Sequence, residues 1–506
     1  MFVGLDMGTS IVKAAAFAED GTALRVESKP ISLGGRGDGV EQDVEEVVLA
    51  ATDVLGAVTG GHAPALVAIT GQGDGLWLVD AEGRAVRPAL SWMDGRAGGL
   101  VAGWMDDGTA EQMYRRTGNV LFPGSPGPLL AWLDRNEPAS LDAATTAACC
   151  KDVVHLRLTG ERATDLSDAS VPFLDPRTRT YSSEALAALG VEHRAGLLPP
   201  IAETLPYGEA HGRTTGLSRG TPVTSGPYDL PASAIGAGVT EPGDGLLIVG
   251  TTLACQVVVE RVAFDDDPVG FHLALARPDR HMRALPAMTG TVALDWVLDL
   301  TGTTHDQVSG ILDATPRGAR GVAALPYLSP SGERAPFVDP TARAEFTGLD
   351  LRVSREDLVR GMCEAIAFAA RHCLEAAGLT GELAVCGGGT RSLAWLRLFA
   401  DVLGRPLRVA RGPEPGARGA VLAAVEARGA ELGQHLDVAA WTAPDAVVDP
   451  DPAGVAFYEQ AYTDYLFRVG SARTRWRGGG APPPRAGRPP PARGTGGGGV
   501  GADKTC

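Results

Sequence analysis

Two segments from opposite halves of the chain carry the same pattern. FVGLDMGTSIVKAAAF, residues 2–17, reads as an apolar strand, a Gly-Thr turn and a returning strand, and GLLIVGTTLACQVVVE, residues 245–260, reads the same way. Each hairpin is followed downstream by a helix and then by a strand that runs into glycines. In the first half Asp43 and Glu46 stand at capping-box spacing ahead of VVLAATDVLGAV, and LVAITGQGDG follows. In the second half Ser354 and Asp357 open a helix through LVRGMCEAIAFAARHCLEAAG, with apolar residues recurring at three and four, and ELAVCGGG follows. A repeat of this length predicts two related α/β domains. Length agrees, because 506 residues exceed the ~250–300 at which one core stops growing.

Composition removes several classes. A net charge of −16 with acids and bases interspersed along the body argues against a nucleic-acid backbone as partner. The seven cysteines show neither a CxxC pair nor regular spacing, and read as free thiols in a reducing cytoplasm. MFVGLDMGTS has no basic leader and no apolar core of a signal, and no long uncharged apolar run follows, so secretion and membrane spanning are not expected. Residues 471–506 are rich in Arg, Pro and Gly with little to bury, which predicts a disordered tail.

A Gly-Thr turn lets backbone N–H groups point at an anion without a Cβ in the way, and the hydroxyl adds a donor. Two such turns facing one cleft would hold two parts of a polyphosphate. Asp6 closes the first strand just before its turn, where a carboxylate can hold Mg²⁺ beside phosphates, and Lys13 on the returning strand could add a point charge. The ordinary readings are a turn-capping Asp and a solvated Lys. SGPYDLPASAIGAG, residues 225–238, sets Asp229 among glycine, proline and small apolar residues. Taken by itself, that carboxylate is either a turn cap or a working group.

Several segments together resemble the FGGY carbohydrate kinases. Besides the opening hairpin they are GQGDG (71–75), SWMDGRA (91–97), LTGERATDLSDAS (158–170), YDLPASAIGAG (228–238), AEFTGLDLRVSREDLVRGMCE (344–364) and VCGGGTRSLAWLRLFADVLGRPL (385–407). The resemblance covers roughly residues 1–440 and implies a duplicated actin-like ATPase fold, ribonuclease H-like, with an interdomain cleft. The implied N-terminal domain is 1–242, for sugar binding, and the C-terminal one 243–440, for nucleotide. Residues 441–470 would extend the body. One departure is Leu129 in GPLLAWLD, where the family pattern has Lys.

The resemblance also assigns roles. It makes Asp229 the general base for a sugar hydroxyl, a poor nucleophile whose proton a carboxylate must accept during attack on phosphorus. It implies ATP and Mg²⁺ as cofactors, with Asp6 toward the metal. Gly8, Thr9, Ser10 and Lys13 would form the first phosphate loop and Gly250, Thr251 and Thr252 the second. Gly290 and Thr291 fall where the family contacts nucleotide, and Gly387, Gly388, Gly389 and Ser392 match the adenosine-binding turn. Gln72 and Asp74 are candidates for substrate hydroxyls, with Trp77 or Trp92 as an apolar wall, although Trp at such positions is more often core. Asp94 and Arg96 are read equally as an ion pair or a substrate contact.

GQGDG followed by SWMDGRA looks more like the pentulose and polyol branch than like glycerol kinases, which would place Arg-Glu at positions 73 and 74, or D-xylulose kinases, which would place His at 74. The expected substrate is therefore a ketopentose or an acyclic polyol, with homodimerisation a family expectation. The rival reading is a sugar-responsive regulator that keeps the fold and transfers nothing; a second rival is an ATPase machine that acts without sugar.

Overall fold

The computed structural model describes residues 1–212 and 216–478. Its frame is two mixed sheets. The first contains β1 (Phe2–Met7), β2 (Ile11–Phe17), β3 (Ala23–Pro30), β4 (Leu66–Gly71), β5 (Tyr207–Glu209) and β6 (Pro222–Ser225), ordered β3-β2-β1-β4-β6-β5. The second contains β7 (Gly245–Val249), β8 (Leu253–Val259), β9 (Phe271–Ala274), β10 (His281–Pro286), β11 (Leu383–Cys386), β12 (Leu407–Val409) and β13 (Ala446–Val448), ordered β9-β10-β8-β7-β11-β12-β13. With β9 set aside, the two orders are the same. So are the senses: antiparallel for β1-β2 and β7-β8, parallel for β1-β4, β4-β6, β7-β11 and β11-β12, antiparallel again at β5-β6 and β12-β13. The repeat seen in the sequence is a repeat of architecture.

Strand alternation explains what each face carries. In β1, Val3, Leu5 and Met7 pack with Val44, Val47, Ala51 and Leu55 of α1 (Val44–Thr59). On the other face Phe2 packs with Ala417, Ala420 and Val421 of a helix from the second half of the chain, Pro415–Leu432. Position 4 must be glycine, since a Cβ there would lie 2.2 Å from the Ala417 carbonyl oxygen. Asp6 shares this face, which places it between the sheet and that helix.

The other helices used below are α2 (Cys150–Thr159), α3 (Leu166–Ala169), α4 (Asp229–Gly236), α5 (Thr291–Thr301), α6 (Arg355–Ala377), α7 (Leu393–Leu403), α8 (the Pro415–Leu432 helix) and α9 (Pro452–Gly478). α6 covers one face of the second sheet, packing with Leu247, Val249 and Cys255. The opposite face, with Leu246, Ala384 and Cys386, receives Ala234 of α4 together with Tyr228 just before it. Thus α4 follows the first sheet but packs on the second, and α8 does the converse. They cross where a Cβ on Gly419 would be 1.7 Å from the Ala232 carbonyl oxygen and one on Gly236 2.0 Å from that of Pro415.

Two sequence expectations change. Asp43 caps α1 by accepting from the Glu45 and Glu46 N–H groups, but the Glu46 carboxylate reaches the N–H and hydroxyl of Ser32 rather than closing a capping box. Ser354 and Asp357 do close one on α6. The expected disorder from residue 471 is also corrected at its start, because α9 continues to Gly478, with Ala472 buried and Trp476 against the Tyr327 ring at 5.7 Å. The reason is a stripe, Tyr458, Tyr462, Tyr465, Val469 and Ala472, whose helical spacing runs across the composition boundary. The remainder of the tail lies outside the described residues. Leu129 is fully buried in an apolar cluster, so the departure from the family Lys serves packing here.

The six described cysteines are buried free thiols, and Cys506 lies outside the described residues. Among the described residues no helix is long and apolar enough to cross a membrane.

Candidate active site

The parallel strands of each sheet end together. Met7 pairs with Gly71 and Ser225 with Ile69, so the Gly8–Ser10 turn, Gln72–Asp74 and the segment leading to Asp229 leave the same carboxyl edge of the first sheet. In the second sheet Ile248 pairs with Cys386 and Val385 with Val409, which sets Gly250–Thr252, Gly387–Gly389 and the approach to Glu414 on one carboxyl edge. The edges are joined: Lys13 Nζ lies 3.0 Å from Glu414 Oε1. A Cβ on Gly416 would be 3.2 Å from Asp6 Oδ2. Carboxyl edges of parallel strands are the usual place for ligands in such sheets.

The first turn is braced from below. The Trp92 indole N–H donates to Thr9 Oγ1 at 2.8 Å, and Gln42 donates to the Thr9 carbonyl at 2.9 Å while accepting from Gln72 at 2.9 Å. Gln72, 4% exposed, therefore supports the turn from within the core. Gly8 is required because a Cβ would be 2.7 Å from the Ile11 carbonyl oxygen. In the second turn, Gly290 and Thr291 donate to the carbonyls of Thr251 and Gly250, fastening the start of α5 to it. The N–H groups of Thr9, Ser10, Thr251 and Thr252 make no main-chain hydrogen bond to other described residues. Gly387, at φ +96°, approaches the Val249 carbonyl as only glycine can, and a Cβ on Gly388 would meet open space. Ser392 caps α7 through the Trp395 N–H.

Asp229 is the first residue of α4, partly exposed, with its carboxyl pushed well above the usual range by burial and then by the charges of Asp6, Asp168 and Asp74. Asp6 is pushed up to about 6 by burial and by Glu414, against the lowering effect of Lys13. Asp74, at φ +57°, accepts the Tyr228 hydroxyl on Oδ2 at 2.8 Å, and burial raises it to about 7. Gly73 is needed beneath that ring, since a Cβ would be 2.2 Å from it. Trp77 is core, 1% exposed, and Asp94 and Arg96 form an ion pair at 2.9 Å.

Sequence reading missed Glu414, Tyr228 and the group Lys151, Asp152, Asp165 and Asp168. Charged residues inside otherwise apolar runs, as in CCKDVVHL, were the signal available for the last group.

The titrations predict a sign for stability against pH. Native His155, His272, His281 and His372 are held at about 4 by burial, so they add stability as pH rises from about 4 to 6.5 and nothing further above it. Asp74 and Glu333, raised to about 7 by burial, keep protons that the unfolded chain has lost, and that stability disappears as pH passes through about 7. The metal-free protein is therefore expected to have a lower urea midpoint at pH 8 than at pH 6.5; an equal or higher midpoint would refute this balance.

Glycine turns on both carboxyl edges and a crowded carboxylate between them are the kinds of group a phosphoryl-transfer site requires. The comparisons agree. The N-terminal domain of the FGGY family of carbohydrate kinases matches residues 1–236 and its C-terminal domain residues 248–427. Erythritol kinase of Brucella abortus (strain 2308) is 35% identical over 498 residues, covering 92% of this chain and 95% of that one. Xylulose kinase of Escherichia coli (strain K12) is 29% identical over 441 residues, covering 82% and 87%. The crystal structure of xylulose kinase from Rhodospirillum rubrum superposes with a TM-score of 0.84 at 29% identity, covering 94% of this chain and 99% of that one. The chain belongs to the FGGY family of carbohydrate kinases, enzymes that use ATP, and the regulator reading gains no support from these relatives.

Proposed function

We propose that this chain phosphorylates one hydroxyl of a tetritol, pentitol or ketopentose, with Asp229 as general base. The observation that carries the reading is the position of Asp229, at the junction of the two carboxyl edges among acids that raise its proton affinity. A carboxylate made more basic by burial and by neighbours of like charge is suited to take a hydroxyl proton. The similarity to an erythritol kinase and to xylulose kinases supports the substrate class.

The N–H groups of the two turns, free of main-chain hydrogen bonds, and their hydroxyls suit phosphate oxygens, and the open space at Gly388 suits a nucleotide lying against backbone. The described residues hold no ready-made group of three or more metal ligands. Asp6 with Glu414 nevertheless fits magnesium, which takes one or two protein carboxylates and completes its shell with phosphate and water. When bound, Mg·ATP supplies the phosphoryl group and neutralises charge developing on it. Asp74 and Tyr228 would orient substrate hydroxyls, Trp92 would hold Thr9 in place, and approach of the lobes would exclude water.

The test is ADP release with Mg·ATP across erythritol, D- and L-xylulose, D- and L-ribulose, xylitol, arabitol and glycerol. One tetritol, pentitol or ketopentose is expected to raise turnover by orders of magnitude above the sugar-free rate. Uniform background turnover, or glycerol as the preferred acceptor, would overturn the substrate reading.

A further inference from the structure

Behind Asp229 lies a buried ionic centre outside the substrate and phosphate contacts. Lys151, in the first turn of α2, has no exposed surface, and its ammonium has three N–H donors. Three carboxylates lie within ion-pair distance of it, Asp152 at 2.7 Å, Asp165 at 2.7 Å and Asp168 at 2.8 Å, and Asp152 also accepts a hydrogen bond from it. Burial alone would push the Lys151 ammonium down, but these three charges hold it well above its usual range.

Two of the carboxylates continue into the segment that presents Asp229. Asp152 Oδ1 accepts from Ser225 Oγ at 3.1 Å, at the last residue of β6. Asp165 caps α3 and accepts the Ser167 hydroxyl, which in turn accepts the Tyr228 N–H at 2.9 Å. Gly226 sits against Asp165, where a Cβ would be 2.8 Å from its Cγ. The segment 225–228 is thus tied to Lys151 at both ends, immediately before the base. Buried ion groups stabilise a fold poorly compared with apolar packing of the same volume, because desolvation offsets the attraction. Directional hydrogen bonds to a defined backbone path are what this centre adds.

We propose that Lys151 is a positioning residue for Asp229, acting through Asp152–Ser225 and through Asp165–Ser167–Tyr228. This rests on the reading of Asp229 as the base. A displacement of that carboxylate of the order of 1 Å would cost roughly 100-fold in rate.

The experiment uses the full chain with the substrate found by the panel, and four variants: Ser167→Ala with Ser225→Ala, Lys151→Met, Asp229→Asn, and Asp229→Asn carrying both Ser→Ala changes. The Ser pair removes the ties without altering buried charge. It is expected to lower kcat about 10- to 100-fold with KM within about twofold. In the Asp229→Asn background the same pair should produce no further loss, because the position of an absent base no longer matters. An unchanged kcat for the Ser pair, or an equal loss in both backgrounds, overturns the positioning role while leaving the base intact. Full activity in Asp229→Asn itself would instead refute the base. If Lys151→Met fails to fold, the Ser pair still decides.

Discussion

Asp229→Asn is expected to lower kcat by about 10²–10⁴, the range for removing a positioned general base, with little change in KM. The same variant should be at least as stable as the parent. Asn keeps the shape of the side chain, while the cost of burying the carboxylate and the repulsion that Asp6, Asp168 and Asp74 exert on it disappear. A residue whose removal abolishes turnover and raises, or leaves unchanged, the thermal midpoint is held for chemistry rather than folding. A turn cap would behave in the opposite way, with a lower midpoint and activity in proportion to the folded fraction. Single-turnover rates beside melting curves separate the two outcomes.

Gly419→Ala is expected to be strongly destabilising, by about 3 kcal/mol, the upper part of the usual overpacking range. The added Cβ would stand 1.7 Å from the Ala232 carbonyl oxygen and 2.7 Å from the Gly236 nitrogen, both backbone atoms with no rotamer to change. The structure can accommodate it by separating α4 from α8, and α4 begins at Asp229. Activity should therefore fall beyond the loss of folded protein. Gly236→Ala, facing the Pro415 carbonyl at 2.0 Å, should reproduce both effects. Gly103→Ala is the control: it lies inside the exposed face of the helix Gly98–Asp106 with nothing within 4 Å of the new methyl. There alanine should be neutral or stabilising by roughly 0.5–1 kcal/mol. Urea midpoints that rank the three variants alike would show that the crossing tolerates separation.

These two residues also show how differently the chain exposes its logic. Asp229 stood out because a lone acid among small residues is chemically conspicuous and its segment matched a family pattern. Gly419 is one of three glycines in α8, which propensity alone would count as a weakness. Its requirement comes from a carbonyl 187 positions earlier in the chain, supplied by Ala232.

The architecture was largely local information. Hairpin, helix and strand recur twice with the periods of 2 and 3.6 that each element requires, and the sheets assembled from them have the same order and sense. The two Gly-Thr turns drew notice by residue type, whereas Gly290, the Gly387 turn and Asp229 were marked out by the resemblance of their segments to a family pattern. What tertiary structure decided was which groups meet. It turned Gln72 toward Gln42, paired Lys13 with Glu414, set Tyr228 on Asp74, and surrounded Lys151 with three carboxylates. Those pairings depend on distance, burial and direction, and a charge acquires its proton affinity only from the neighbours that folding brings to it.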